Sequence, residues 1–342
     1  FVLSGTNVDE FINGLGVDLD GDGTGDVVVA GSIYGNTGMS VFFGPTTASA
    51  TTNDAGFRLA PPSGAIRRWG MASELDFDED GRRDLLYGSA PSGTVFVLSS
   101  SLRGDVNLNQ AFLSVTTATS ASEPRMVDGD LDGTGVSDLV IVTRQIPDAG
   151  AAVLLDPPHA SMAFDDGAVW SVAPGVETSW TCAVIPDATG DGLDDLLLGS
   201  PETDQAFLVM GPATAGTRLD TDAYASFQGE HSGTNFGDWV EQVGDLDNDG
   251  NADLSINASL AAVGSDGGAL FLWLSPVESG THLAIDADLR IENEQAGEYG
   301  FPAPAHGDVN GDGATDLALG SSYYPGGGRN GAVYLLFGDP AP

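Results

Sequence analysis

The sequence predicts an all-β chain, a six-bladed β-propeller of four-stranded antiparallel blades, with seven blades as the alternative. Three observations lead there. An acidic nonapeptide recurs six times, short apolar runs accompany every copy, and no helical periodicity of useful length interrupts them. The nonapeptide reads Asp-x-(Asp/Asn/Thr)-x-(Asp/Thr)-Gly-x-x-Asp. Its copies run from Asp18 to Asp26, Asp76 to Asp84, Asp130 to Asp138, Asp187 to Asp195, Asp245 to Asp253 and Asp308 to Asp316. Their first aspartates stand 58, 54, 57, 58 and 63 residues apart. Residues 1–342 therefore read as a single propeller domain of six repeats of about 57 residues each.

Within each repeat the closing aspartate leads into an apolar run: Val27–Ala30, Leu85–Tyr87, Leu139–Val142, Leu196–Leu198, Leu254–Ile256 and Leu317–Leu319. A glycine-rich loop follows, then a second β-rich run: Ser40–Phe43, Thr94–Leu98, Ala151–Leu155, Ala206–Met210, Ala269–Leu274 and Ala332–Phe337. A third, more polar run comes next, as in Gly56–Ala60, Ala168–Val172 and Ala287–Ile291. The stretch from an aromatic (Phe11, Trp69, Trp180, Phe236 or Tyr299) into the acidic loop supplies the remaining strand. Four short strands per repeat is the pattern of a propeller blade. The last repeat stops after its third strand, while Phe1-Val2-Leu3-Ser4 is similar to Phe57-Arg58-Leu59-Ala60. The N-terminal strand is thus expected to complete the last blade and remove an exposed edge.

Side-chain oxygens fall at loop positions 1, 3, 5 and 9, with a backbone carbonyl available at position 7. Alternate spacing lets a curved loop aim successive oxygens inward. The predicted ligands of the first loop are Asp18, Asp20, Asp22, Thr24 and Asp26, and of the second Asp76, Asp78, Asp80, Arg82 and Asp84. The third offers Asp130, Asp132, Thr134, Val136 and Asp138, and the fourth Asp187, Thr189, Asp191, Leu193 and Asp195. The fifth offers Asp245, Asp247, Asp249, Asn251 and Asp253, and the sixth Asp308, Asn310, Asp312, Ala314 and Asp316. Thr24, Arg82, Val136, Leu193, Asn251 and Ala314 enter by their carbonyls. Glycine holds position 6 throughout, where the chain must turn sharply. Hard oxygens in a flexible loop favour Ca²⁺ over Mg²⁺, which keeps more of its water.

An EF-hand is excluded. Position 12 is Val29, Tyr87, Ile141, Leu198, Ile256 or Leu319, never an acid. Nine-residue tandem repeats are excluded by the long spacing. Clustered carboxylates repel until a cation neutralises them. About six structural Ca²⁺, one per blade, are expected.

Composition narrows the function. The chain has 50 acids, 38 of them aspartates, against 11 arginines and no lysine, for a net charge of -39 and a pI of about 4.1. That sign argues against nucleic acid or anionic lipid as a partner. No run of 18 apolar residues offers a membrane-spanning helix. The lone Cys182 makes no internal disulfide and reads as a small buried hydrophobe. A chain opening on Phe1 is expected to be processed or excised, and lysine-free, aspartate-rich composition points to a high-GC, salt-tolerant prokaryotic source.

An aromatic-glycine pair (Phe236-Gly237, Tyr299-Gly300, Trp69-Gly70), then the acidic loop and an apolar strand, resembles the FG-GAP repeat of integrin α-subunit propellers. Similar repeats occur in bacterial FG-GAP/VCBS proteins and in some fungal propeller lectins. The resemblance spans essentially the whole chain. It implies a β-propeller that holds Ca²⁺ between the first and second strands of its blades and serves adhesion or recognition. Integrin propellers have seven blades, only some of them metal-binding, whereas six motifs fill this chain. The pair is also degraded at Phe11-Ile12, Pro124-Arg125 and Trp180-Thr181, so ligand specificity does not carry over.

Catalytic signatures are few. The histidines His159, His231, His282 and His306 fall in different repeats, and no G-x-S-x-G or H-E-x-x-H motif occurs. Tyr34, Arg67, Arg68, Trp69, Arg144, His231, Tyr323, Tyr324 and Arg329 lie in segments that could face a ligand, aromatics stacking on sugars and arginines gripping carboxylates. The competing reading makes Trp69 inner-strand core and the others ordinary loop residues. Arg103-Gly104-Asp105 is a three-residue match, too short to carry a function. The reading is a non-enzymatic, calcium-binding recognition or adhesion module, lectin-like, with a glycan or protein ligand and a monomeric domain. It is placed outside the cell, secreted or on the surface, where millimolar Ca²⁺ fills weak sites. The alternative is a polysaccharide-degrading enzyme, or its targeting module, on the same scaffold.

Overall fold

The computed structural model describes residues 3–4, 10–31, 39–45, 50–51, 54–59, 68–72, 76–89, 94–116, 125–136, 138–143, 150–154, 161–163, 168–171, 181–211, 222–260, 268–292, 304–321 and 332–338. The chain divides into two compact units, Phe1–Gly129 with Gly135–Val169, and Asp130–Thr134 with Trp170–Pro342. Among the described residues no helix is long and apolar enough to cross a membrane.

In chain order the first repeat contributes β1 (Leu3–Ser4), β2 (Glu10–Val17), β3 (Asp26–Gly31), β4 (Met39–Phe42), β5 (Ala50–Thr51) and β6 (Phe57–Leu59). The second contributes β7 (Arg68–Ala72), β8 (Leu85–Ser89), β9 (Thr94–Leu98), β10 (Gly104–Val106) and β11 (Leu113–Thr116). The third contributes β12 (Arg125–Gly129), β13 (Asp138–Thr143), β14 (Gly150–Leu154), β15 (Ser161–Ala163) and β16 (Ala168–Ser171). The fourth has β17 (Thr181–Pro186), β18 (Asp194–Ser200), β19 (Gln205–Val209) and β20 (Ala225–Gln228). The fifth has β21 (Phe236–Gln242), β22 (Leu254–Ala258), β23 (Ala269–Trp273), β24 (Gly280–Leu283) and β25 (Leu289–Glu292), and the sixth β26 (Ala305–Gly307), β27 (Asp316–Ser321) and β28 (Ala332–Leu336).

These strands build the small antiparallel sheets of an all-β propeller. The orders are β2-β3-β4-β6, β7-β8-β9-β11, β12-β13-β14-β16, β17-β18-β19-β20 and β21-β22-β23-β25, each a four-strand meander. Among the described residues three of the five carry an added strand from the following repeat. β10 lies parallel to β6, β15 to β11, and β24 to β20. We call this added strand a clasp.

Two expectations are corrected here. Among the described residues the last repeat is a three-stranded sheet, β26-β27-β28, so five complete blades stand where six were expected, and seven is not met either. Second, Leu3–Ser4 is paired in parallel with Ala50–Thr51, and no pairing with β28 occurs among the described residues. β1 meets β5 as β6 meets β10, a strand lying parallel to a third-to-fourth connection, and this pairing occupies one edge of β1.

Within each unit, alternation along the strands sends one face of a sheet onto its neighbour. In one unit Val28, Met39 and Phe57 of the first repeat pack with Leu85, Tyr87 and Leu98 of the second. Leu86, Val97 and Leu113 pack in turn with Met126, Leu139 and Ile141. In the other unit the fourth and fifth repeats join through Leu197, Leu208 and Phe227 against Phe236, Phe271 and Trp273. The aromatic-glycine pair gains its meaning there. Phe236 is fully buried edge-on to Phe271 at 5.5 Å and Trp273 at 6.2 Å. Gly237, at φ +91°, sits where a Cβ would fall 2.4 Å from Gln205 O. Only glycine permits that conformation and that approach together.

Candidate metal-binding loops

All six acidic loops join the first strand of a sheet to the second, as the sequence predicts. Position 1 organises the turn. Asp18 accepts N–H bonds from Gly21 at 2.8 Å, Asp22 at 3.2 Å and Gly23 at 2.9 Å. Asp308 repeats this with Gly311, Asp312 and Gly313 at 2.6, 3.1 and 2.9 Å. Asp76, Asp187 and Asp245 accept from Gly81, Gly192 and Gly250. These bonds, that from Gly313 first, lower the pKa of Asp308. Position 5 then accepts from the N–H of position 7. Asp22, Asp191, Asp249 and Asp312 bond Thr24, Leu193, Asn251 and Ala314 at 2.8–2.9 Å. The Thr24 hydroxyl, before its N–H, lowers the pKa of Asp22.

Two left-handed residues make each turn. Position 6 has φ between +81° and +100° in all six loops, with open space where a Cβ would stand. Position 4 is left-handed as well: Gly21, Glu79, Gly133, Gly190, Asn248 and Gly311. The sequence reading missed position 4, although glycine in four copies and asparagine in a fifth were a usable signal. Glu79, at φ +56°, is the exception and bears the strain of an L residue there. Replacing Glu79→Gly should raise unfolding stability by about 1 kcal/mol, read as a higher urea midpoint at unchanged slope. A lower midpoint counts against the strain.

Position 9 behaves differently from a simple ligand. Asp26, Asp84, Asp138, Asp195 and Asp253 are 0% exposed and Asp316 2%. One oxygen of each braced residue accepts from the start of its own loop: Leu19 N to Asp26 at 2.8 Å, Phe77 N to Asp84 at 2.8 Å, Leu246 N to Asp253 at 2.7 Å and Val309 N to Asp316 at 2.9 Å. The other oxygen accepts from the residues after the third strand: Gly44 N, Ser275 N and Gly338 N at 2.7, 2.8 and 2.9 Å, with Gly211 N on Asp195 at 3.3 Å. Asp26, Asp195, Asp253 and Asp316 are thus buried braces between the loop and the end of the third strand. Burial is the leading cause that pushes Asp84 up to about 7, and Asp195 and Asp253 up to about 6.

Carboxylates converge in three loops that each lie within one unit. Asp18, Asp20 and Asp22, then Asp76, Asp78 and Asp84, then Asp245, Asp247 and Asp249 bring oxygens within 4.8 Å of one another. Burial, then Asp249, raises the pKa of Asp247. The fourth and sixth loops, with Thr189 and Asn310 at position 3, gather no such three acids among the described residues. The third loop is divided by the unit boundary. In one unit Thr134 N bonds Asp132 at 3.1 Å and Asp130 N bonds Asp194 at 3.1 Å; in the other Asp138 is buried opposite Gly129. Two oxygens test the fit of a cation. Asp20 Oδ1 and Asp84 Oδ1 are buried without a hydrogen-bond partner, an arrangement that suits a hard cation.

Of the proposed ligand-facing residues, His231 is exposed and Arg68 and Trp69 lie in β7. Tyr34, Arg67, Arg144, Tyr323, Tyr324 and Arg329 lie outside the described residues. Among the histidines, His282 stacks on Phe227 at 5.3 Å, and His159 is outside the described residues.

Sheets of this size, joined by acidic first-to-second-strand loops, define a propeller-type repeat protein. One of its repeats is similar to a known kind. The FG-GAP repeat family matches residues 301–336. Integrin alpha-8 of Mus musculus is 27% identical over 188 residues, covering 53% of this chain and 16% of the relative. Integrin alpha-8 of Gallus gallus is 28% identical over 156 residues, covering 44% and 14%. The chain thus spans about one-sixth of the length of these relatives. Among solved structures, BBS1N in complex with ARL6DN matches with a TM-score of 0.55 at 8% identity, over 96% of this chain and 79% of that one. That likeness is one of fold alone.

Proposed function

We propose that the chain is a calcium-stabilised recognition module, non-enzymatic and working outside the cell, whose acidic loops each hold a structural Ca²⁺. The observation that carries this is the pair of partnerless buried carboxylate oxygens, Asp20 Oδ1 and Asp84 Oδ1, inside clusters that already hold several acids. Positions 1, 3 and 5 and the carbonyl at position 7 would hold the ion, with position 9 at the rear. The ion supplies positive charge to an otherwise self-repelling group of carboxylates. In this chain, position 1 fixes the turn and position 9 fixes the loop to its sheet, so the ligand atoms are pre-positioned by backbone bonds. Likeness to integrin alpha-8 supports adhesion to a protein or glycan partner, and weak oxygen sites suit a secreted or cell-surface setting at millimolar Ca²⁺.

Screening the protein against glycan and extracellular-protein arrays, with Ca²⁺ and with EDTA, tests the reading. Specific binding that disappears in EDTA is the expected result. Turnover of a polysaccharide that persists in EDTA would overturn it.

A further inference from the structure

We infer that Arg103 is a resident counter-cation of the first acidic loop, competing with a divalent ion for Asp20 and tying that loop to the second repeat. Its competing role rests on the cation reading proposed above. Arg103 Nη2 lies 3.0 Å from Asp20 Oδ2, leaving Oδ1 of the same carboxylate buried and unpartnered. The guanidinium is held on its other sides too. Nη1 donates to the carbonyls of Ser100 and Leu102, and Cζ stands 3.7 Å from the centre of the Phe43 ring. Ser100 donates its hydroxyl to Leu19 O at 2.6 Å, so loop and segment are bonded side by side.

The tripeptide Arg103-Gly104-Asp105 is committed to this contact. Gly104 N donates to Gly56 O at 2.7 Å, and Asp105 pairs with Arg58 at 2.7 Å across the β6–β10 clasp. Each of its two charged side chains has an ion-pair partner within the chain. The fourth loop provides an internal comparison. Its position-2 carbonyl, Ala188 O, is braced at 2.8 Å by Val277 N, but the next residue is Glu278 and position 3 is the uncharged Thr189. A tethered cation paired with a position-3 acid therefore belongs to the first loop in this comparison.

A guanidinium on Asp20 has opposite effects in the two states of the loop. Without an ion it neutralises one of the clustered carboxylates; with one it is a like charge sharing a ligand. A merely structural contact has no such reversal. The test is a Ca²⁺ titration of the wild type and Arg103→Gln followed by NMR. The Gly23 amide, bonded to Asp18, reports the first loop, and the Gly250 amide, bonded to Asp245, reports the fifth. Arg103→Gln should tighten the first-loop midpoint roughly threefold or more and leave the fifth unmoved, with Arg103→Lys near wild type. In EDTA Arg103→Gln should melt below wild type. An unchanged or weaker first-loop midpoint overturns the competition, and an unchanged melting point in EDTA overturns the counter-cation role. Arg103→Met, which keeps apolar cover on Phe43, replaces the Gln variant if that fails to fold. Wild-type Gly23 and Gly250 amides that both ignore Ca²⁺ sink the cation reading instead, and the EDTA comparison still judges Arg103.

Discussion

Exhaustive chelation should lower the melting temperature by roughly 15 °C or more, the largest effect expected of any single treatment. At tenfold excess over Kd each occupied loop contributes about 1.4 kcal/mol, and six together reach about 8 kcal/mol, the order of a whole domain's stability. The pH dependence should change sign with the metal. In the chelated protein Asp84 titrates at about 7 and Asp195 and Asp253 at about 6, all raised first by burial from 3.8. Between 3.8 and about 7 the folded chain therefore holds protons that the unfolded chain has released, so stability falls as pH rises through that window. With Ca²⁺ bound, the ligands are ionised in the folded state, and stability falls instead as pH drops. Calorimetry at about pH 4.5 and about pH 7.5, each with Ca²⁺ and with EDTA, reads both effects. A melting point indifferent to EDTA, or a chelated protein more stable at the higher pH, defeats the proposal.

Replacing Asp253→Ala should cost about 3 kcal/mol or more, and should do so with or without Ca²⁺. The carboxylate is fully buried, and its two oxygens accept from Leu246 N at 2.7 Å and Ser275 N at 2.8 Å. Truncation strands both donors away from water and leaves a void beside β22 and β23. Asp253→Asn keeps one acceptor and should lose less. Asp249→Ala, on an exposed residue at position 5, is the contrasting case and should matter only when Ca²⁺ is present. Urea unfolding of the three variants in both buffers separates the roles. Equal losses for Asp253→Ala and Asp249→Ala would refute the brace.

The blade strands were legible because each couples an apolar alternation to a fixed acidic turn. β8, β18, β22 and β27 begin at or next to position 9, as the apolar runs require. The glycine at position 6 was legible for the same reason, a repeated conformational demand. Position 9 was legible as a fixed acid, whereas its bracing bonds were not. Its partners are N–H groups of residues as different as Gly44, Ser275 and Gly338, and backbone donors leave no residue signature. The clasps were illegible too. Gly104–Val106, Ser161–Ala163 and Gly280–Leu283 are short and mixed in polarity, their bonds running through the main chain to another repeat. The incomplete sixth sheet followed from a similar blindness. Leu3–Ser4 matches Leu59-Ala60 in character, yet its described partner is a two-residue strand with no apolar run of its own.

Because each clasp strand belongs by sequence to one repeat and by hydrogen bonding to the one before, a cut at the sequence period is not a cut between structural modules. An excised 57-residue segment would leave behind its clasp's partner and take with it an outer strand robbed of cover. Shuffled or shortened arrays of these repeats would inherit sticky flanks. Natural gain or loss of repeats is then easiest at a breakpoint lying between the clasp and the fourth strand, where main-chain pairing passes intact to the new neighbour.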